Sequence, residues 1–163
     1  MTKRSTLGLD RLARLLPILL LVALAIRLFV FVDRWAVNVL FRDQWDFLTG
    51  LFEHRDPLTL FRWQHGTQRE GFGYLLIAAI YSATGWNTRV EIFALAGIVV
   101  LASAIALSMV RRSCGPSGWD VCVPLICLTT AQVEIFANTP NPAPWCAPVF
   151  VHHVLRLVMD SKT

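Results

Sequence analysis

Asp43 and Asp46 are the residues of this chain best placed to do chemistry, because residues 41–53 have helical spacing and put these two carboxylates one turn apart. Such a pair can act as a general base or hold a divalent cation beside a phosphate. The same stretch also reads as an interfacial amphipathic helix. Phe41, Trp45, Leu48 and Phe52 fall on one stripe, while Asp43, Asp46, Gly50 and Glu53 fall on the opposite one as a solvated polar face. His65 and Arg69 form the second candidate group, a phosphate-binding one. They flank the start of the apolar stretch 71–83, which the capping-box pattern Thr67-Gln68-Arg69-Glu70 opens. Backbone N–H groups and the helix dipole favour an anion there, and a phosphate would gain charge-assisted hydrogen bonds from Arg69. The plainer alternative pairs Arg69 with Glu70 or a lipid headgroup and leaves His65 to cap a turn. Glu134 is a third candidate, a carboxylate that could share a cavity with Asp43 or sit at an interface. His152 and His153 are adjacent, hence on different helical faces, and make a poor metal pair.

The elements that carry these groups follow from hydropathy. Residues 15–32 and 92–110 are each long enough to cross a bilayer. The thirteen residues 71–83 cover only about 20 Å of a hydrocarbon core ~30 Å thick, and should lie along or dip into the membrane surface. Lys3, Arg4, Arg11 and Arg14 precede the first span and Arg111 and Arg112 follow the second, so the positive-inside rule puts both groups in the cytoplasm. The resulting single membrane unit has residues 1–14 cytoplasmic, 15–32 as a span, 33–91 as one large external loop, and 92–110 as a span. Residues 111–118 are cytoplasmic, 119–137 are a third span, and 138–163 are an external Pro/Asn segment with an incomplete apolar stub. Gly85 supplies a left-handed stop for the short helix, and Asp56-Pro57 opens another short helix through Leu58, Leu60 and Phe61. Thr88-Arg89-Val90-Glu91 repeats the capping device for the second span, which ends at Gly115-Pro116. Ser117 with Asp120 caps the third. The expected class is therefore all-α, with multi-pass transmembrane helices and an external loop containing juxtamembrane amphipathic helices.

Composition agrees: 55% of the 163 residues are hydrophobic and 16% charged, and mean hydropathy is +0.54. The net charge of +4 resides largely in the cytoplasmic flanks, with no basic stripe or aromatic platform for nucleic acid. The uncleaved first span reads as a signal anchor in the cell (inner) membrane, with membrane lipids as partners. Four cysteines at different expected depths give neither a disulfide framework nor a metal spacing. Arg27, near the outer end of the first span, can snorkel to the interface. Trp35, Trp45, Trp63 and Trp86 all fall in the loop, as interface anchors rather than sugar-stacking platforms.

Read in order, the basic N-terminus, Ile26-Arg27-Leu28, Asp43-Gln44-Trp45-Asp46, His65, Tyr74-Leu75-Leu76, Gly85, Arg89 and Arg111-Arg112 resemble the N-terminal part of GT-C superfamily membrane glycosyltransferases. The pattern is similar in particular to bacterial relatives of protein mannosyltransferases and lipid A aminoarabinose transferases. The resemblance implies inverting transfer of a sugar from a polyprenyl-phosphate donor at the outer face of the membrane, with Asp43 as the first loop acid, Asp46 as its second member and His65 as the loop histidine. It departs from the family where Gln44 and Trp45 split the acidic pair and where Gly66 replaces the usual proline. It covers residues 12–137, and with three spans and a stub the chain looks like an N-terminal fragment, an interrupted reading frame or one half of a split protein, expected to be inactive alone. The alternative is a non-catalytic small multi-pass protein acting as a structural or assembly partner of another membrane protein; a transporter ranks below both.

Overall fold

A computed structural model describes residues 3–40, 44–65, 68–69 and 71–129. The chain is mostly helical. Helix α1 (Lys3–Trp35) is followed by α2 (Gln44–Phe52), α3 (Pro57–Phe61), a two-residue hairpin β1 (Gln64–His65) and β2 (Gln68–Arg69), α4 (Gly71–Thr84), α5 (Thr88–Cys114), a 3₁₀ turn Gly118–Val121, and α6 (Cys122–Cys127). The antiparallel hairpin adds a small extended element to the expected all-α architecture, with Gln64 opposite Arg69 and His65 opposite Gln68.

Two helices, over Arg14–Trp35 and Thr88–Cys114, are long and apolar enough to cross a membrane. Only 17% and 33% of their most apolar windows are buried inside the protein, whereas the core helix of a water-soluble domain would be covered on most sides. Leu15, Leu19, Val22, Ile26 and Val30 of α1 and Leu101 and Ile105 of α5 present apolar side chains outward. Helix α4, at 14 residues, spans about 21 Å and falls short of the ~30 Å hydrocarbon core, as its sequence implies.

Helices α1 and α5 run antiparallel through a seam of Leu28, Val32, Ala36, Ile92, Ala96 and Val99, extended by the stacked rings of Phe29 and Phe93 with centroids 6.2 Å apart. An arginine closes each end of the seam. Arg89 Nη2 donates to Asp33 Oδ1 at 2.5 Å and to the Asp33 carbonyl at 3.0 Å, and Nη1 donates to the Ala36 carbonyl at 3.2 Å. At the other end Arg111 Nε donates to Asp120 Oδ2 at 2.9 Å and Nη2 to the Arg14 carbonyl at 2.8 Å. At ~1.5 Å per residue, Arg14 to Asp33 on α1 measures about 29 Å and Arg89 to Arg111 on α5 about 33 Å, which matches a hydrocarbon core of ~30 Å.

Local signals place several boundaries. Asp56 caps α3 by accepting from Leu58 N and Thr59 N at 3.0 Å each, with Pro57 in the first turn where its missing N–H costs nothing. Ser117 and Asp120 form the expected capping box, and Gly115 ends α5 at φ 78°. The start of α5 is a correction: Asn87, not Thr88, is the cap, its side-chain Oδ1 accepting from Arg89 N at 3.1 Å and Val90 N at 3.3 Å. Thr88 is thereby free to face α1, where its hydroxyl donates to the Val37 carbonyl at 3.0 Å and to Asn38 Oδ1 at 3.1 Å. Glu91, expected in the capping box, turns into the interior instead. Of the expected third span 119–137, the described part is the 3₁₀ turn and the six-residue α6, which leaves helical geometry at Leu128; residues 130–137 lie outside the described residues.

Candidate functional site

In the sequence between the two long helices, α2, α3 and α4 pack into one cluster built on Leu48, Leu60, Tyr74, Ile77 and Tyr81, and the hairpin links α3 to α4. Two glycines allow this close packing. A Cβ on Gly50 would lie 2.9 Å from both Leu60 Cδ2 and the Tyr74 hydroxyl, and one on Gly71 would collide with the Phe61 carbonyl oxygen. With α2 held that close, the Leu51 N–H donates to the Tyr74 hydroxyl at 3.2 Å, and the Trp63 ring packs tilted on Tyr74 at 5.6 Å. Burial pushes the Tyr74 phenol above its ordinary pKa, outweighing the opposing contacts with the Leu51 backbone and Arg55.

This packing corrects the expected faces of α2. Leu48 and Gly50 both turn inward, against α3 and α4, while Trp45 and Phe52 stand on the exposed flank. Gly50 looks polar in a helical projection only because it has no side chain to classify; here that absence serves contact. Asp46 is exposed in the first turn of α2, two residues after the buried Gln44. His65 is on β1 and Arg69 on β2, which places Arg69 ahead of α4 rather than in its first turn. Asp43, Glu134, Thr67 and Glu70 lie outside the described residues, as do His152 and His153.

The turn from α4 to α5 organises the exposed aromatic surface. Gly85 adopts the left-handed conformation at φ 64°, as its position implies, and Trp86 follows it at φ 68°. Trp86 N–H donates to the Tyr81 carbonyl at 3.2 Å, the long-range bond of a Schellman motif, and the Trp86 ring stacks on Tyr81 at 5.3 Å as the accompanying apolar contact. On its other side Phe52 stacks at 4.9 Å, and Trp45 lies 6.3 Å beyond Phe52. A left-handed tryptophan costs roughly 1–2 kcal/mol, offset here by ring contacts on both sides. The four rings form a continuous ribbon with Trp45, Phe52 and Trp86 exposed.

Beneath the ribbon, the buried Tyr81 hydroxyl donates to Glu91 Oε2, and both residues are about 1% exposed. Burial, reinforced by the Glu91 carboxylate, drives the Tyr81 phenol far above its ordinary pKa. On α3, the Asp56 carboxyl is held below its usual pKa by hydrogen bonds from the Thr59 hydroxyl and the Thr59 N–H. Arg89 adds its guanidinium over the Phe93 ring at 5.7 Å.

No protein-family model, curated protein or solved structure matches the chain. Among the described residues no group of three or more His, Cys, Asp or Glu is arranged to hold a metal. The region between the two long helices thus offers an exposed carboxylate at Asp46, a hairpin carrying His65 and Arg69, and an aromatic ribbon suited to a membrane interface. Sequence reasoning had no role for the Asp33–Arg89, Arg111–Asp120 and Tyr81–Glu91 pairs. Opposite charges at matching ends of two apolar stretches are the signal that could have found the first two.

Proposed function

We propose that the chain is a multi-pass protein of the cell inner membrane, with its N-terminus in the cytoplasm and residues 33–91 at the outer face. In this reading it acts as the N-terminal part of a GT-C-like glycosyltransferase that takes a sugar from a polyprenyl-phosphate donor. The observation that carries it is the placement of α2, α3 and α4 as one packed cluster next to the end of the α1/α5 pair that holds Asp33 and Arg89, with the hairpin between α3 and α4. In such a site Asp43 or Asp46 would take the proton of an acceptor hydroxyl or contact a divalent cation. His65 and Arg69 would meet the donor phosphate, and the aromatic ribbon would seat the cluster on the lipid interface.

The test is deletion of the chain in its own cell, with mass analysis of lipid-linked sugars. The transferase reading expects a polyprenyl-phosphate sugar to accumulate, and expects the wild type to clear it while at least one of Asp43→Asn and Asp46→Asn fails to. The second reading, a non-catalytic membrane partner, is favoured by the outward apolar faces of both long helices, which can pack against further helices. It expects Asp43→Asn and Asp46→Asn to be silent and bulky changes on those faces, such as Ala→Phe, to matter.

A further inference from the structure

At the Arg111 end of the helix pair, a groove between α1 and α5 is walled by Ile18 and Leu21 on one side and by Ala104, Leu107 and Ser108 on the other; Arg111 and Arg112 close its mouth. It exists because α5 places two small side chains, Ala104 and Ser108, one turn apart where larger ones would fill the seam. From Ala104 to Arg112 the groove is about 12 Å long, most of the ~15 Å depth of one leaflet's hydrocarbon. Its walls are apolar and its end is cationic.

The two arginines are not equivalent. Arg111 is mostly covered and committed to Asp120 and to the Arg14 carbonyl. Arg112 is exposed, and no carboxylate pairs with it among the described residues. Among the described residues, the one carboxylate paired at the mouth, Asp120, stands against two guanidiniums and leaves an excess positive charge. A ligand with an apolar chain to lie in the groove and a phosphate for its mouth satisfies both parts, since a guanidinium binds phosphate through paired N–H donors. A zwitterionic headgroup would bring a second cation to a mouth that already has one too many.

We infer that this groove is a binding site for an anionic glycerophospholipid of the cytoplasmic leaflet, with an acyl chain along Leu21 and Ala104 and the phosphate on Arg112. The inference rests on the membrane topology proposed above and is independent of the transferase activity. It is tested by reconstituting the full chain in nanodiscs of equal parts phosphatidylcholine and phosphatidylglycerol, then counting retained lipids by native mass spectrometry. The wild type should retain phosphatidylglycerol over phosphatidylcholine by roughly tenfold, the size of one charge-assisted hydrogen bond. Arg112→Gln, an exposed change that leaves the fold alone, should bring the ratio near one, and Ala104→Phe should lose both lipids by filling the groove.

Equal retention by the wild type, an unchanged ratio in Arg112→Gln, displacement of phosphatidylglycerol by added polyprenyl phosphate, or a second copy of the chain in place of lipid would each overturn the inference. Alkaline carbonate extraction of native membranes separates the two levels. Release of the chain sinks the topology and the inference together, whereas retention in the membrane without lipid preference sinks the inference alone.

Discussion

Arg89 and Arg111 tie the two ends of α5 to their neighbours with the same chemistry, but in different surroundings. At the Arg89 end the side chains of the ion pair are 41% and 69% exposed; at the Arg111 end they are 17% and 2% exposed. Exposed pairs contribute little because water and salt compete for both charges, whereas losing one partner of a buried pair strands the other. Two pairs that look alike as contacts therefore differ in what they carry. The Arg89 pair fixes where the loop cluster begins, and the Arg111 pair holds the base of the fold.

The largest expected effect is on the covered side. Arg111→Ala leaves the Asp120 carboxylate buried and should destabilise the chain by about 3–5 kcal/mol, read as unfolding in detergent micelles by circular dichroism. A loss below about 1 kcal/mol would erase the contrast between the two ends. Tyr81→Phe comes next. It removes the phenol that donates to buried Glu91, for an expected cost of about 1–3 kcal/mol.

Both tyrosines of the chain, Tyr74 and Tyr81, are held above the ordinary phenol pKa, chiefly by burial. A raised folded pKa favours the neutral form, so the stability it contributes is fully present below about pH 10 and is lost as pH rises through the raised values. Ultraviolet titration of the folded chain should thus show both phenols ionising above the ordinary phenol value, Tyr81 the later of the two. Ordinary titration of either phenol near 10 would contradict the buried packing of the loop cluster. The smallest effect belongs to the open end. Asp33→Asn should cost at most about 1 kcal/mol and should cost less still in high salt.

The same contrast explains what the sequence made legible. The bounds of α4, the left-handed Gly85, the Asp56 cap and the Ser117–Asp120 box are set within a few residues of chain, so their signals are local. Thr88 meeting Asn38, Arg89 meeting Asp33 and Tyr81 meeting Glu91 depend on how separate helices are set against one another, which residue spacing does not encode. Asn87 displaced Thr88 as the cap because its side chain reaches the same two N–H groups while the threonine hydroxyl finds partners across the interface. For the candidate site, Asp46, His65 and Arg69 were visible as residue types, but the hairpin that carries the last two was not, because its pairing lies across a turn where the spacing reads as a helix start. The inward turn of Gly50 was not, because a glycine contributes to packing by what it lacks.

The central claim is that both long helices cross the membrane and put residues 33–91 on the far side from Cys114. It is tested most directly by single-cysteine labelling in intact cells with a membrane-impermeant maleimide, after replacing the other cysteines by serine. Glu53→Cys, on the exposed end of α2, should label in intact cells, and Cys114, exposed at the end of α5, should label only after permeabilisation. Labelling of both positions from the same side would mean that α5 does not cross, and the account would fail.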